Sequence, residues 1–128
     1  MATQLQAPES NTASEKWTVD YVSALVHFRM FQVSLIRSES IPNLTQRQLA
    51  LLFIVYSVPV RLCVHELAKQ MGVQKPIISR ALSSLEQLGL VKRVRDSHDK
   101  RNVFVSSTET GRTYCYKFLT LWMAYFDM

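Results

Sequence analysis

The chain has 128 residues, 48% of them apolar, with only three glycines and four prolines; this suits one folded, helix-rich domain with an apolar core and excludes disorder as its general state. Cys63 and Cys115 are the only cysteines and lack CxxC or Cys/His ligand spacing, so neither a disulfide framework nor a metal site is expected. The formal net charge of +5 points toward a polyanionic partner, while the absence of a signal-like N-terminus or an apolar run of spanning length argues for a cytoplasmic location and no membrane partner.

Residues 1–15 are polar and poor in bulky groups, which predicts a disordered tail. Residues 16–38 predict a helix with large apolar side chains from Trp17 to Ile36, among them Val22, Leu25 and Phe28. Its apolar surface is too wide for one flank of a small domain, so it is assigned to dimerisation. The break at "SESIPNL" precedes Thr45, and Gln48 three residues later completes a capping box: the Thr hydroxyl accepts an early helix N–H and the Gln side chain reaches back. The helix that follows is apolar nearly all round from Leu49 to Tyr56, stops near Pro59, and reads as the central core helix.

A short strand at "VRLC" leads to the helix "VHELAKQMG", closed by Gly72, and then to "KPIISRALSSLEQLG", with Pro76 in its first turn and Gly89 as its stop. "LVKRVRD" and "NVFVSS" predict a β-hairpin with a heavily charged tip. Residues 108–128 predict a C-terminal dimerisation helix. Tyr114, Phe118, Leu121 and Tyr125 form one stripe and Cys115, Leu119, Trp122 and Phe126 another, both advancing near the 3.5-residue spacing of an interhelical seam. The expected fold is therefore mainly α with a small β-hairpin: a winged helix-turn-helix over residues 44–107, flanked by dimerisation helices.

Ala68 is small where two helices must cross, Gly72 suits the tight turn, and Ile78 plugs back into the core; Leu67, Met71, Leu82, Leu85 and Leu88 should join it. This leaves Gln74, Lys75, Pro76, Ser79, Arg80 and Ser83 near the opposite face of the second helix, where side chains can meet base edges and phosphates in a major groove. Between Arg61 and Arg101 there are nine basic residues and four acidic ones, so this segment holds the whole net charge of +5. A basic hairpin directly after a recognition helix is a wing. Its Lys100 and Arg101 are placed to meet DNA, with Arg101 entering the minor groove, and Asp99 is assigned to orient Arg101 across the turn.

With its helix pair, wing and the trailing "STETG", the stretch from Leu44 to Gly111 resembles the multiple antibiotic resistance regulator (MarR) family, including the run Asp96, Asp99, Arg101. The resemblance implies a homodimeric transcription regulator, a repressor, binding double-stranded DNA at a pseudo-palindromic operator. The sequence departs from the family pattern in three places. Gln74 stands where Ser or Thr commonly caps the recognition helix. Cys63 stands where a hydroxyl caps the preceding helix, and the C-terminal region has room for one long helix instead of two.

No convergent catalytic set can be assembled: His27, His65 and His98 are scattered, and no glycine-rich phosphate loop is present, so an enzyme, a cofactor or a bound metal is not expected. His27 and Arg29 could line a cavity for an anionic effector, whose identity is unknown, although an interface salt bridge suits Arg29 better. Cys63 or Cys115 could sense oxidants, although Cys115 lies on an apolar stripe. The alternative class is a winged-helix module that binds another protein without specific DNA binding.

Overall fold

The fold is organised around two left-handed glycines and one capped helix. In the computed structural model, residues 19–126 are described; the expected tail and Trp17 lie outside them. The elements run α1 (Val19–Arg37), α2 (Gln46–Ser57), β1 (Leu62–Cys63), α3 (Val64–Met71), α4 (Lys75–Gln87), β2 (Val91–Arg95), β3 (Val103–Ser107) and α5 (Glu109–Phe126). The capping box at α2 is formed as its spacing predicts: Gln48 N–H donates to Thr45 Oγ1 (3.1 Å) and Thr45 N–H to Gln48 Oε1 (2.9 Å).

Gly72 (φ 67°) and Gly89 (φ 75°) end α3 and α4 in the same way. After each, the next residue donates back across the last turn, Val73 N–H to Ala68 O (3.2 Å) and Leu90 N–H to Leu85 O (2.9 Å). The second of these turns corrects one expectation. Leu88 was expected in the core but is 46% exposed, because it caps α4 while the reversal at Gly89 sends Leu90 and Val91 inward instead, each 2% exposed. The expected short strand forms and pairs antiparallel with the hairpin, so the sheet has three strands in the order β1-β3-β2, with Leu62 and Arg93 both opposite Val105. β1 thereby covers one edge of β3 that the hairpin alone would leave open.

Leu51 and Leu52 of α2, Leu67 of α3, and Ile78, Leu82 and Leu85 of α4 are fully buried, each worth roughly 1.5–3 kcal/mol of burial. α5 closes this core with Tyr114, Cys115 and Phe118. Phe118 meets Phe53 of α2 (5.0 Å between ring centroids) and Phe31 of α1 (5.3 Å), and thus joins α1 to the winged helix. Among the described residues, no helix is long and apolar enough to cross a membrane.

Candidate nucleic-acid interface

Helix α4 buries Ile78, Ala81, Leu82 and Leu85, a spacing that turns its other face outward. On that face Gln74, Lys75, Pro76, Arg80 and Ser83 are exposed and Ser79 is half-buried. Gln74 occupies the N-cap position but makes no side-chain cap bond; its backbone carbonyl accepts from Ile77 N–H (3.0 Å), and the residue is exposed at the helix start. Ser83 is less available than its exposure suggests. Its hydroxyl donates to Ser79 O (2.9 Å) and accepts from Arg93 Nη2 (3.0 Å). The Arg80 guanidinium folds back along its own helix, with Nε 3.4 Å from Pro76 O.

At the wing tip both carboxylates act inside the loop. Asp96 Oδ1 accepts from His98 N–H (3.0 Å), and Asp99 Oδ1 accepts from the backbone N–H of Arg101 (3.1 Å) and from its Nε (3.4 Å). The loop closes with Asp96 N–H donating to Asn102 O (2.9 Å). The Arg101 side chain is 93% exposed and is held by Asp99 through Nε. Lys100 is exposed beside it.

The helix start and the wing converge. Lys75, Ser79, Arg93 and Arg101 line one cleft of about 120 Å³, with Cys63 and His65 on its wall. Two members of this surface escaped the sequence reading as site residues. Arg93 carries a legible signal: strict alternation in β2 puts it on the same face as the buried Val91, where a cation requires a partner. Its partner is Glu86, whose carboxyl is held below the ordinary carboxylate range, chiefly by the Arg93 backbone N–H. Arg47, at the start of α2, has no such signal; it shares a second cleft of about 450 Å³ with Arg80.

This helix pair and wing carry a known pattern: residues 44–103 match the MarR family. That stretch of the chain carries the MarR-family pattern. In MgrA, an HTH-type transcriptional regulator of Staphylococcus aureus, 36% of residues are identical over a stretch of 74, which covers 56% of this chain and 48% of MgrA. The match thus spans about half the length of this curated relative. A mutant of S. aureus MepR has the same fold, with a TM-score of 0.68 at 22% identity over 87% of this chain and 81% of that one. A mutant of MarR from E. coli complexed with operator DNA gives a TM-score of 0.61 at 23% identity, over 80% of this chain and 70% of that one.

The terminal helices divide the seam residues expected from sequence into two groups. On α1, Val22, Leu25 and Phe28 are about half exposed, as are Met30 and Val33. On α5, Tyr114 and Phe118, expected on the seam, are instead turned into the chain's own core, which corrects that expectation. Tyr114 stacks on Phe118 and its hydroxyl donates to Pro42 O (3.3 Å), while Phe118 is spent on Phe31 and Phe53. Leu121, Trp122 and Tyr125 are half-buried, and the Tyr125 hydroxyl lies 2.6 Å from Ser34 Oγ across the α1–α5 contact.

Between α1, α2 and α5 lies an apolar cavity of about 600 Å³, lined by Phe28, Phe31, Leu49, Phe53 and Trp122 with Gln32 and Gln46 as polar groups. Neither His27 nor Arg29 is among its lining residues, and His27 Nδ1 lies 2.7 Å from Ser23 O on its own helix. The expected anionic effector site at these two residues is therefore not this cavity.

Cys63 caps α3 in an inverted sense. Its thiol donates to Glu66 Oε1 (2.9 Å), which lowers the Glu66 carboxyl pKa, and its backbone N–H donates to the same oxygen (3.5 Å). Burial pushes the Cys115 thiol up to about 11, so almost none of it is thiolate near neutrality. At pH 8, iodoacetamide is accordingly expected to modify Cys63 in the folded protein and to reach Cys115 only on unfolding. Equal labelling rates by mass spectrometry would contradict that placement.

Proposed function

We propose that this protein is a sequence-specific, double-stranded-DNA-binding transcription regulator, acting as a homodimeric repressor on a pseudo-palindromic operator in the cytoplasm. α4 lies in the major groove and the wing in the adjacent minor groove. Gln74, Lys75, Pro76, Ser79, Arg80 and Ser83 face the first, and Lys100 and Arg101 the second, with Asp99 orienting Arg101. The observation that carries this reading is the convergence of the α4 start and the wing on one cationic cleft, within the segment that holds the chain's whole net charge. The operator-bound MarR mutant, which shares the fold, supports it, as does the match of residues 44–103 to the MarR family, whose regulators are non-enzymatic.

Dimerisation rests on the exposed apolar row of α1, with Val22, Leu25 and Phe28, together with Leu121, Trp122 and Tyr125 of α5. A surface of this kind is costly to leave in water and is buried by a two-fold partner.

The test is selection of random duplex DNA by the purified protein at near-physiological salt, followed by sequencing of the retained pool. An enriched inverted repeat with half-sites about one helical turn apart is the expected result. A folded dimer that enriches nothing would overturn the reading in favour of a protein-interaction module.

A further inference from the structure

One polar network ties α4 to the wing and has no part in holding the core. Glu86, on the last turn of α4, accepts three hydrogen bonds from Arg93 of β2: from the backbone N–H at Oε2 (2.8 Å), and from Nε (3.3 Å) and Nη2 (3.2 Å) at Oε1. The same Nη2 donates to Ser83 Oγ (3.0 Å), which in turn donates to Ser79 O (2.9 Å). The guanidinium thus bridges adjacent turns of α4, from Glu86 to Ser83, and ends in the cleft that Lys75 and Arg101 also line.

Three features set this network apart from an ordinary surface ion pair. β2 is an edge strand, and Glu86 takes the Arg93 N–H that would otherwise face outward from the sheet. The guanidinium is gripped through Nε and Nη2 and tied at the backbone as well, which fixes direction as well as distance. Both side chains remain about one-third exposed, at 29% and 38%, so the pair contributes little to stability. What it does constrain is the placement of the wing relative to α4.

We propose that Glu86 is a positioning residue for DNA discrimination: by holding Arg93 as a strut between α4 and the wing, it sets the spacing at which α4 and Arg101 engage adjacent grooves together. This rests on the DNA-binding reading above. It assigns Arg93 to internal bracing instead of phosphate contact, since its Nε and Nη2 are already engaged by Glu86 and Ser83.

Simple electrostatics and positioning predict opposite signs. Removing a carboxylate from a DNA-facing surface should strengthen binding to every duplex alike. Loss of the strut should weaken binding to the selected duplex relative to random duplex of equal length. For the full-length protein carrying Glu86→Ala, we expect that affinity ratio to fall about tenfold, with affinity for random duplex unchanged or raised. Glu86→Gln, which keeps an acceptor for the Arg93 N–H, should recover part of the loss. Arg93→Gln, which removes the cation, should lower the ratio without reducing the salt dependence of binding.

A second readout needs no DNA. In the free protein, Glu86→Ala should speed hydrogen exchange at the Arg93 amide and raise backbone mobility from Arg95 to Asn102 in NMR relaxation, with the core amides unaffected. Unchanged mobility would overturn the strut. Increased mobility with an unchanged affinity ratio would overturn its role in discrimination. A salt slope reduced by about one in Arg93→Gln would show a phosphate ligand and overturn the internal role. If wild type does not discriminate between duplexes, the DNA reading fails and the proposed role in discrimination fails with it, while the amide measurements still decide whether the strut exists.

Discussion

Gly111→Ala is expected to destabilise the protein by about 3 kcal/mol, although alanine is the better helix former by about 1 kcal/mol. Gly111 lies in the first turn of α5, buried, with its N–H donating to Thr108 Oγ1 (2.9 Å). A Cβ there would overlap the Tyr56 hydroxyl and the Leu90 carbonyl oxygen. The second is backbone and cannot swing away. The first is already committed: the Tyr56 hydroxyl lies 2.8 Å from Leu90 O and accepts from Thr108 N–H at 2.9 Å. Thr108 Oγ1 donates in turn to Gly89 O (2.6 Å), so one methyl group would disturb the junction of α2, the α4–β2 turn and α5 together.

Urea unfolding monitored by circular dichroism measures the loss, and a double-mutant cycle with Tyr56→Phe tests its cause. Tyr56→Phe alone should cost about 1–2 kcal/mol, because Thr108 N–H and Leu90 O lose a partner. Adding Gly111→Ala to it should then cost less than in wild type, as the overlap with the Tyr56 hydroxyl has been removed while those with Leu90 O and the ring Cζ remain. Strict additivity would place the cost of Gly111→Ala elsewhere.

Arg101→Ala is expected to weaken binding to the selected duplex by roughly 1–3 kcal/mol, the range for loss of a specific groove contact. The structure makes this a clean substitution. The side chain is almost wholly solvent-exposed and touches Asp99 alone among the described hydrogen bonds, so its removal leaves the fold intact. The companion variant Asp99→Ala keeps the cation but frees it from its carboxylate. Affinity for random duplex should then rise while preference for the selected duplex falls. Fluorescence anisotropy at several salt concentrations separates the two effects, and an unaltered affinity in Arg101→Ala would remove the wing from the recognition surface.

Local chemistry accounts for what was legible. The Thr45 capping box, the reversals at Gly72 and Gly89, and the outward face of α4 each depend on residues within a few positions of one another. The same locality made the wing loop interpretable, since Asp99 and Arg101 are two apart. The reading failed where a residue had two plausible neighbours. Tyr114 and Phe118 lie on a helical stripe that would serve an intermolecular seam or an internal core equally well, because periodicity identifies an apolar face without identifying what covers it. Leu88 failed for a related reason: three leucines at helical spacing suggested one buried row, but the helix ended before the third.

The order and type of the elements, the concentration of positive charge between Arg61 and Arg101, and the helix pair with its wing are written in the sequence, because all of them depend on near neighbours along the chain. Tertiary structure alone decided that Arg93 belongs to Glu86, that Lys75 and Arg101 line one cleft, that Gly111 must stay bare beside Tyr56, and which face of α5 is spent inside. Each of those facts depends on the docking of separate elements: burial and hydrogen-bond satisfaction select one arrangement among several that the same local patterns allow.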